Sequence, residues 1–256
     1  SDTDLAKSCY ATAYAMRGVA YYNLMRLFCE PYNKEKAEEQ LGLSIVTRFD
    51  MEARPKRSSL KEVATLIEED FKKAISYHSK SEIYRYTEDV VKAYLARLYF
   101  WTQNWEQAIP VAKEILDAYP LVEGAVYTDM LSARYAQQGN VLLRSYLLTS
   151  SSGDVNYNSA KGYLPVKPVS KRFIDLFEEK ERDVRYAFSF NAKREALKIP
   201  MACVRSAEMC LILAESHAYL NQTKEALDYL NLLRSKRITG YTPYTMGNLP
   251  AVDEYA

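Results

Sequence analysis

The sequence predicts a mainly α-helical protein, with paired antiparallel helices on either side of an irregular, loop-rich insertion. Three observations carry that prediction. Two stretches share one skeleton: Leu95, Ala96, Tyr99 and Ala108 before Pro120, then Leu213, Ala214, His217 and Ala226 at the same offsets, with Leu230 four residues further on. Glycine is scarce, at 8 of 256 residues, which disfavours a turn-rich β-sandwich or a glycine-rich phosphate fold. Turn-forming residues instead gather between the two copies of the skeleton: Ser150 to Gly153, Asn156, Asn158, Gly162, Pro165 and Pro168.

The shared skeleton has the spacing of a tetratricopeptide-like helix pair, in which a small residue lets two helices approach and an alanine stands twelve positions on. Such pairs build binding scaffolds more often than active sites. Residues 4–29 read as a long helix capped by Asp4, with Tyr14, Gly18, Tyr21 or Tyr22, Met25 and Phe28 at helical spacing, stopped by Pro31. Residues 31–57 read as irregular, with an extended apolar piece at Leu43, Ile45 and Val46. A second helix begins at Ser58 or Ser59, with Glu62 as the capping-box partner of Ser59, and ends near Tyr77. A third runs from Thr87 or Asp89 through Phe100, and a fourth from Asn104 to about Tyr119.

In the insertion, Leu142 to Leu148 reads as a short strand or buried extended run, Ser170 caps a short helix through Phe177, and Tyr186 to Phe190 reads as strand-like. Helix returns over 203–221 and over 223–237, the latter capped by Thr223. The expected organisation is one domain over 1–256: a helical part at 1–120, the insertion at 121–202 and a closing helix pair at 203–240.

Composition excludes several function classes. The 34 basic and 33 acidic residues leave a formal charge of +1, with no basic excess for nucleic acid. No run of apolar residues is long enough to span a membrane. Of the cysteines Cys9, Cys29, Cys203 and Cys210, none forms C-x-x-C, and only His78 and His217 could join them, so no metal site is expected. Cys203 and Cys210 stand on one face of an expected helix and read as buried thiols. No phosphate loop, G-x-S-x-G or H-E-x-x-H occurs, and no cofactor is implied. Glu68, Glu69 and Asp70, and Glu178, Glu179 and Glu181, supply carboxylates of the kind glycoside hydrolysis needs. Adjacent helical residues point apart, however, so the runs read as solvated faces and no catalytic residue is assigned. Arg17, Arg97 and the Arg205/Glu208 pair read as structural braces, His217 as packing, and His78 as a helix-end residue.

Six blocks in order resemble the SusD/RagB family of cell-surface glycan-binding lipoproteins. They are Met16 to Phe28 followed by Pro31-Tyr32; Gly42 to Thr47; Arg57 to Val63 with Ile67, Asp70-Phe71 and Ala74; Ala93 to Tyr99 with Trp105 to Ala108; Arg205 to Glu215; and Ala226, Leu230, Asn231, Leu233-Arg234 and Arg237. Cys29 and Ser44 stand where the family commonly has glycine and proline. The resemblance covers roughly 150 residues, nearly all helical, and implies a SusD-type fold in a partial chain. It also implies capture of oligosaccharide or polysaccharide, delivery to a TonB-dependent, SusC-like transporter, and an outer-membrane, cell-surface location through a lipid anchor absent from this chain. Cys9 lies inside a helix and does not read as the lipid site.

The binding residues are sought among aromatics, because a sugar's C–H face stacks on an aromatic ring while its hydroxyls seek Asn, Asp and Arg. Tyr157 and Tyr163 stand in polar, loop-like sequence beside Asp154, Asn156 and Asn158, which makes these five the expected ligand contacts. Tyr84 and Tyr86 are weaker candidates, and Trp101 and Trp105 read as packing at a helix–helix turn. The competing reading is a tetratricopeptide scaffold that binds a protein or peptide.

Overall fold

The computed structural model describes residues 3–80, 85–133, 139–144, 158–159, 161–164, 166–197 and 202–250. The chain forms two compact units, Ser1–Ile115 with Glu215–Leu220, and Leu116–Ala214 with Asn221–Ala256.

The first unit is built on helix α1 (Asp4–Phe28) packed along helix α2 (Leu60–Ile75). Thr3, rather than the expected Asp4, caps α1: its hydroxyl accepts from the Ala6 N–H, leaving Asp4 in the first turn where its charge suits the helix dipole. Ala11, Ala15, Gly18, Val19, Tyr22 and Met25 form its buried stripe. The start of α2 follows the sequence expectation. The Ser59 Oγ accepts from the Glu62 N–H at 3.2 Å, and the Glu62 carboxylate accepts from the Ser59 N–H at 2.7 Å. Leu60, Val63, Ile67 and Phe71 are fully buried on its inner face.

Where α1 crosses α2 the helices nearly touch. A Cβ added at Gly18 would stand 2.6 Å from a ring carbon of Phe71 and 3.3 Å from the Asp70 Cβ. Beside it, Arg17 donates from Nε and Nη2 to the two oxygens of Asp70, at 2.8 and 2.6 Å. The segment between the helices forms strand β1 (Leu41–Ser44), antiparallel to strand β2 (Arg57–Ser59). The extended piece expected at Leu43 to Val46 thus begins slightly earlier and has a partner strand. Arg57 donates to the Gly42 and Leu41 carbonyls, at 2.7 and 3.0 Å, and the Tyr21 hydroxyl accepts from the Val46 N–H at 2.7 Å. Helix α3 (Glu88–Trp101), capped by Thr87, precedes helix α4 (Trp105–Ala118), which begins after Asn104. Ala96, Ala108 and Ala112 are fully buried, as the shared skeleton requires of the first helix pair.

The second unit departs further from expectation. Residues expected to be irregular form helix α5 (Gly124–Ser132), whose Tyr127 and Met130 pack with Val141. Strand β3 (Val141–Arg144) pairs antiparallel with strand β4 (Ala202–Arg205). The rest of the expected run to Leu148 lies outside the described residues. Ser170 caps helix α6 (Lys171–Asp175) as expected. A 3-10 turn at Lys180–Arg182 leads to helix α7 (Val184–Ser189), which replaces the strand expected at Tyr186 to Phe190. Asp183 accepts from the Arg185 N–H at its start, and Phe177, Tyr186 and Phe190 close into one ring cluster.

Helix α8 (Ser206–Tyr219) starts later than residue 203, because 202–205 pair with β3. Cys203 is therefore exposed on a strand while Cys210 is buried in α8, and the two share no helix face. Arg205 likewise ends the strand, so it does not stand one turn from Glu208 within a helix. Helix α9 (Thr223–Ser235) has Gln222 at its N-cap with no side-chain cap bond, not Thr223. In the second copy of the skeleton Leu213 is fully buried, whereas Ala214, His217 and Ala226 are half-buried.

Candidate functional site

Two of the five expected ligand contacts lie among the described residues. Tyr163 is 71% exposed, in a turn where its carbonyl accepts from the Val166 N–H, and its ring stacks on no other ring among the described residues. Asn158 is also exposed, in helical rather than loop conformation. Asp154, Asn156 and Tyr157 lie outside the described residues, as does Tyr84; Tyr86 is half-buried. The Tyr163 ring therefore presents an open face of the kind that stacks on a sugar, with an amide side chain five positions before it in the sequence.

The two tryptophans are engaged in protein contacts. Trp105 stacks on Tyr219 with ring centroids 4.3 Å apart and planes 4° from parallel, and meets Phe100 edge-on at 5.3 Å. The Arg26 guanidinium lies 4.8 Å over the Trp101 ring. Sequence reasoning missed a ladder at the α1–α2 surface, in which Tyr77 stacks with Tyr10 at 5.8 Å and with Tyr14 at 6.3 Å. The spacing of Tyr10 and Tyr14, one helical turn apart, was the available signal.

Three of the six carboxylates that could have suggested hydrolysis, Glu68, Asp70 and Glu179, have structural partners. Asp70 is held by Arg17, Glu179 pairs with Arg234, and Glu68 accepts from the Tyr99 hydroxyl at 2.9 Å while pairing with Lys72 at 2.6 Å. His78 pairs with Glu88 through Nδ1 at 3.0 Å, and Glu88 also pairs with Lys92. Burial opposes charge on Glu88, but hydrogen bonds from Lys92 and His78 prevail and hold its carboxyl below the usual range. Among the described residues, no group of histidine, cysteine and carboxylate side chains could hold a metal ion.

Two clefts lie beside α2. One of about 620 Å³ is lined by Glu38, Ile45, Ser59, Lys61, Glu62, Thr65, Leu66 and Glu69. A second, of about 310 Å³, is lined in part by Tyr32, Lys34, Lys61, Glu68 and Asn104. Such volumes suit small ligands, and the lining offers donors and acceptors for hydroxyl groups. Burial raises the Tyr32 phenol above its ordinary value, so that ring stays a neutral donor.

The closing motif holds down the tail. Asn231 donates to the Tyr244 carbonyl at 2.9 Å and accepts from the Tyr241 hydroxyl at 2.6 Å and the Tyr244 N–H at 2.8 Å. The Arg234 guanidinium lies against both tyrosine rings, 5.1 Å from one centroid and 4.7 Å from the other. Arg237 is buried, donates to the Val122 carbonyl at 2.6 Å and covers the Tyr127 ring at 4.2 Å. These residues therefore serve architecture in the second unit.

Residues 1–100 match the SusD-like family model described as "Starch-binding associating with outer membrane". None of the curated proteins is significantly similar to the chain. Among solved structures, the chain is similar to a SusD superfamily protein from Bacteroides thetaiotaomicron VPI-5482, with a TM-score of 0.77 and 22% identity over 94% of this chain and 61% of that one. It is also similar to a putative sugar binding protein from Bacteroides vulgatus ATCC 8482, with a TM-score of 0.73 and 20% identity over 96% of this chain and 62% of that one. A SusD-like carbohydrate binding protein from the same organism matches with a TM-score of 0.71 and 20% identity, over 97% of this chain and 58% of that one. The chain thus spans about three fifths of the length of these relatives. It has the SusD-superfamily fold, and its residues 1–100 match the SusD-like family in sequence.

Proposed function

We propose that the chain belongs to a cell-surface glycan-binding protein that captures oligosaccharide and hands it to a TonB-dependent, SusC-like outer-membrane transporter. The observation that carries this reading is the coincidence of a starch-binding family match over residues 1–100 with a SusD-superfamily fold over nearly the whole chain. Two of the structural neighbours are themselves described as sugar or carbohydrate binding. The exposed ring of Tyr163 supports placing ligand contacts in the insertion, together with Asn158, Asp154, Asn156 and Tyr157. The structural engagement of Glu68, Asp70 and Glu179 supports binding without hydrolysis. Among the described residues no helix is long and apolar enough to cross a membrane, and the proposed attachment is a lipid anchor outside residues 1–256.

The test is a glycan array probed with the purified chain, paired with a pulldown from an outer-membrane extract. Selective binding to one glycan class, with recovery of a TonB-dependent transporter, is expected. Peptide binding with neither result would replace the proposal by the protein-binding scaffold, and turnover of any bound glycan would overturn its non-enzymatic part.

A further inference from the structure

The second unit buries several polar side-chain atoms without hydrogen-bond partners. Arg237 is 3% exposed, and Asn140 and Ser206 are fully buried. Among the described residues, the Arg237 Nη2, both side-chain atoms of Asn140, and the Ser206 Oγ have no partner. A chain of backbone and side-chain contacts links the three residues. The Val122 carbonyl accepts from Arg237 Nη1 at 2.6 Å. The Val122 side chain lies against Gly139, where an added Cβ would meet it at 3.4 Å. Asn140 follows Gly139, and its carbonyl accepts from the Ser206 N–H at 3.0 Å.

Among the described residues the charge around Arg237 is not balanced. Among the described residues, no carboxylate forms an ion pair with Arg237, which instead donates to the Val122 and Lys236 carbonyls and covers the Tyr127 ring. The acid whose charge favours Arg237, Asp183, is buried and gives both oxygens to Arg185. Arg205 and Arg185 both repel the Arg237 charge. A buried guanidinium costs several kcal/mol unless a counter-charge or full hydrogen bonding offsets it. Water would satisfy the orphaned atoms but would bring no negative charge.

We propose that a small monovalent anion of halide size binds among Arg237, Asn140 and Ser206, accepting from Arg237 Nη2, Asn140 Nδ2 and the Ser206 hydroxyl. A water molecule hydrating the anion donates to Asn140 Oδ1. The site is structural, separate from glycan capture, and braces α5, β3 and the start of α8 against the end of α9.

The test uses bromide, which is halide-sized and has an anomalous X-ray signal. Crystals grown in sodium bromide are expected to show an anomalous peak within hydrogen-bond distance of Arg237 and Asn140. Unfolding is then followed as bromide replaces gluconate at constant ionic strength. At ten times the dissociation constant the folding equilibrium moves about tenfold toward the native state, and Asn140→Leu loses that response. A water peak without anomalous signal would overturn the proposal, as would equal unfolding midpoints in bromide and gluconate. Both readouts use the unaltered chain, so failure of Asn140→Leu to fold leaves the proposal decidable.

Discussion

Gly18→Ala probes the closest approach in the first unit. The new methyl carbon would stand 2.6 and 2.9 Å from two ring carbons of Phe71, which is fully buried. Restoring an ordinary contact of about 3.4 Å requires the ring or α1 to move roughly 0.8 Å. Overpacking of this kind costs about 2–3 kcal/mol. Replacing glycine by alanine inside a helix returns about 1 kcal/mol. The net expectation is a loss of about 1–2 kcal/mol, a fall in Tm of about 3–6 °C for a protein of this size. Circular dichroism melts and urea titrations measure it. The companion variant Phe71→Leu removes the clashing ring atoms, so the double-mutant cycle should show a favourable coupling of about 1 kcal/mol or more. An unchanged or raised Tm in Gly18→Ala, or strict additivity in the cycle, would refute the close crossing.

Arg17→Met should destabilise more than Asp70→Asn, by about 3 kcal/mol against about 1–2, because the first strands a buried carboxylate while Arg17, at 34% side-chain exposure, still reaches water; urea midpoints decide the order. Asn231→Ala deletes three hydrogen bonds that tie Tyr241 and Tyr244 to α9 and leaves the Arg234 guanidinium against their rings, so limited proteolysis should cut the segment after Gly240 several-fold faster with little change in global Tm. Burial pushes the Cys210 thiol up to about 11 from an ordinary 9.0, so at pH 7.5 only about 0.03% is thiolate and native labelling should mark exposed Cys9 well before Cys210. The same shift stabilises the fold fully below about pH 9 and is lost as pH rises through about 11, so Cys210→Ala should flatten the alkaline fall in stability measured between pH 8 and 10.5.

Local signals were legible where local chemistry decides the outcome. Ser59 and Glu62 announce the start of α2 because the capping box is made entirely by residues three apart. Ala96 and Ala108 announce the first helix pair because only small residues permit that approach. The elements that differ from expectation depend on distant partners. Tyr186 to Phe190 has strand-like composition, yet Asp183 caps a helix there and Phe177 supplies the ring that the helix covers. Strand β4 pairs with β3 about 60 residues earlier, so nothing adjacent marks where α8 begins. Helix α5 has no side-chain cap and starts at a glycine with φ of +56°, a conformation that reads as a turn in sequence. For the candidate site, the sequence singled out Tyr163 by its polar surroundings, and the structure leaves that ring exposed; its role in ligand contact is the proposal that titration tests. The cleft beside α2 was not legible, because its lining converges from α2, the β1 segment and Glu38.

The most direct test of glycan capture is isothermal titration of the unaltered chain and of Tyr163→Ala with the oligosaccharide that scores highest on the array. The account predicts saturable binding by the unaltered chain and affinity at least tenfold weaker in Tyr163→Ala, the loss expected of about 1.4 kcal/mol of ring stacking. Absence of heat and of saturation with every array glycan would contradict glycan capture by these residues, and full affinity in Tyr163→Ala would remove the site from the insertion turn.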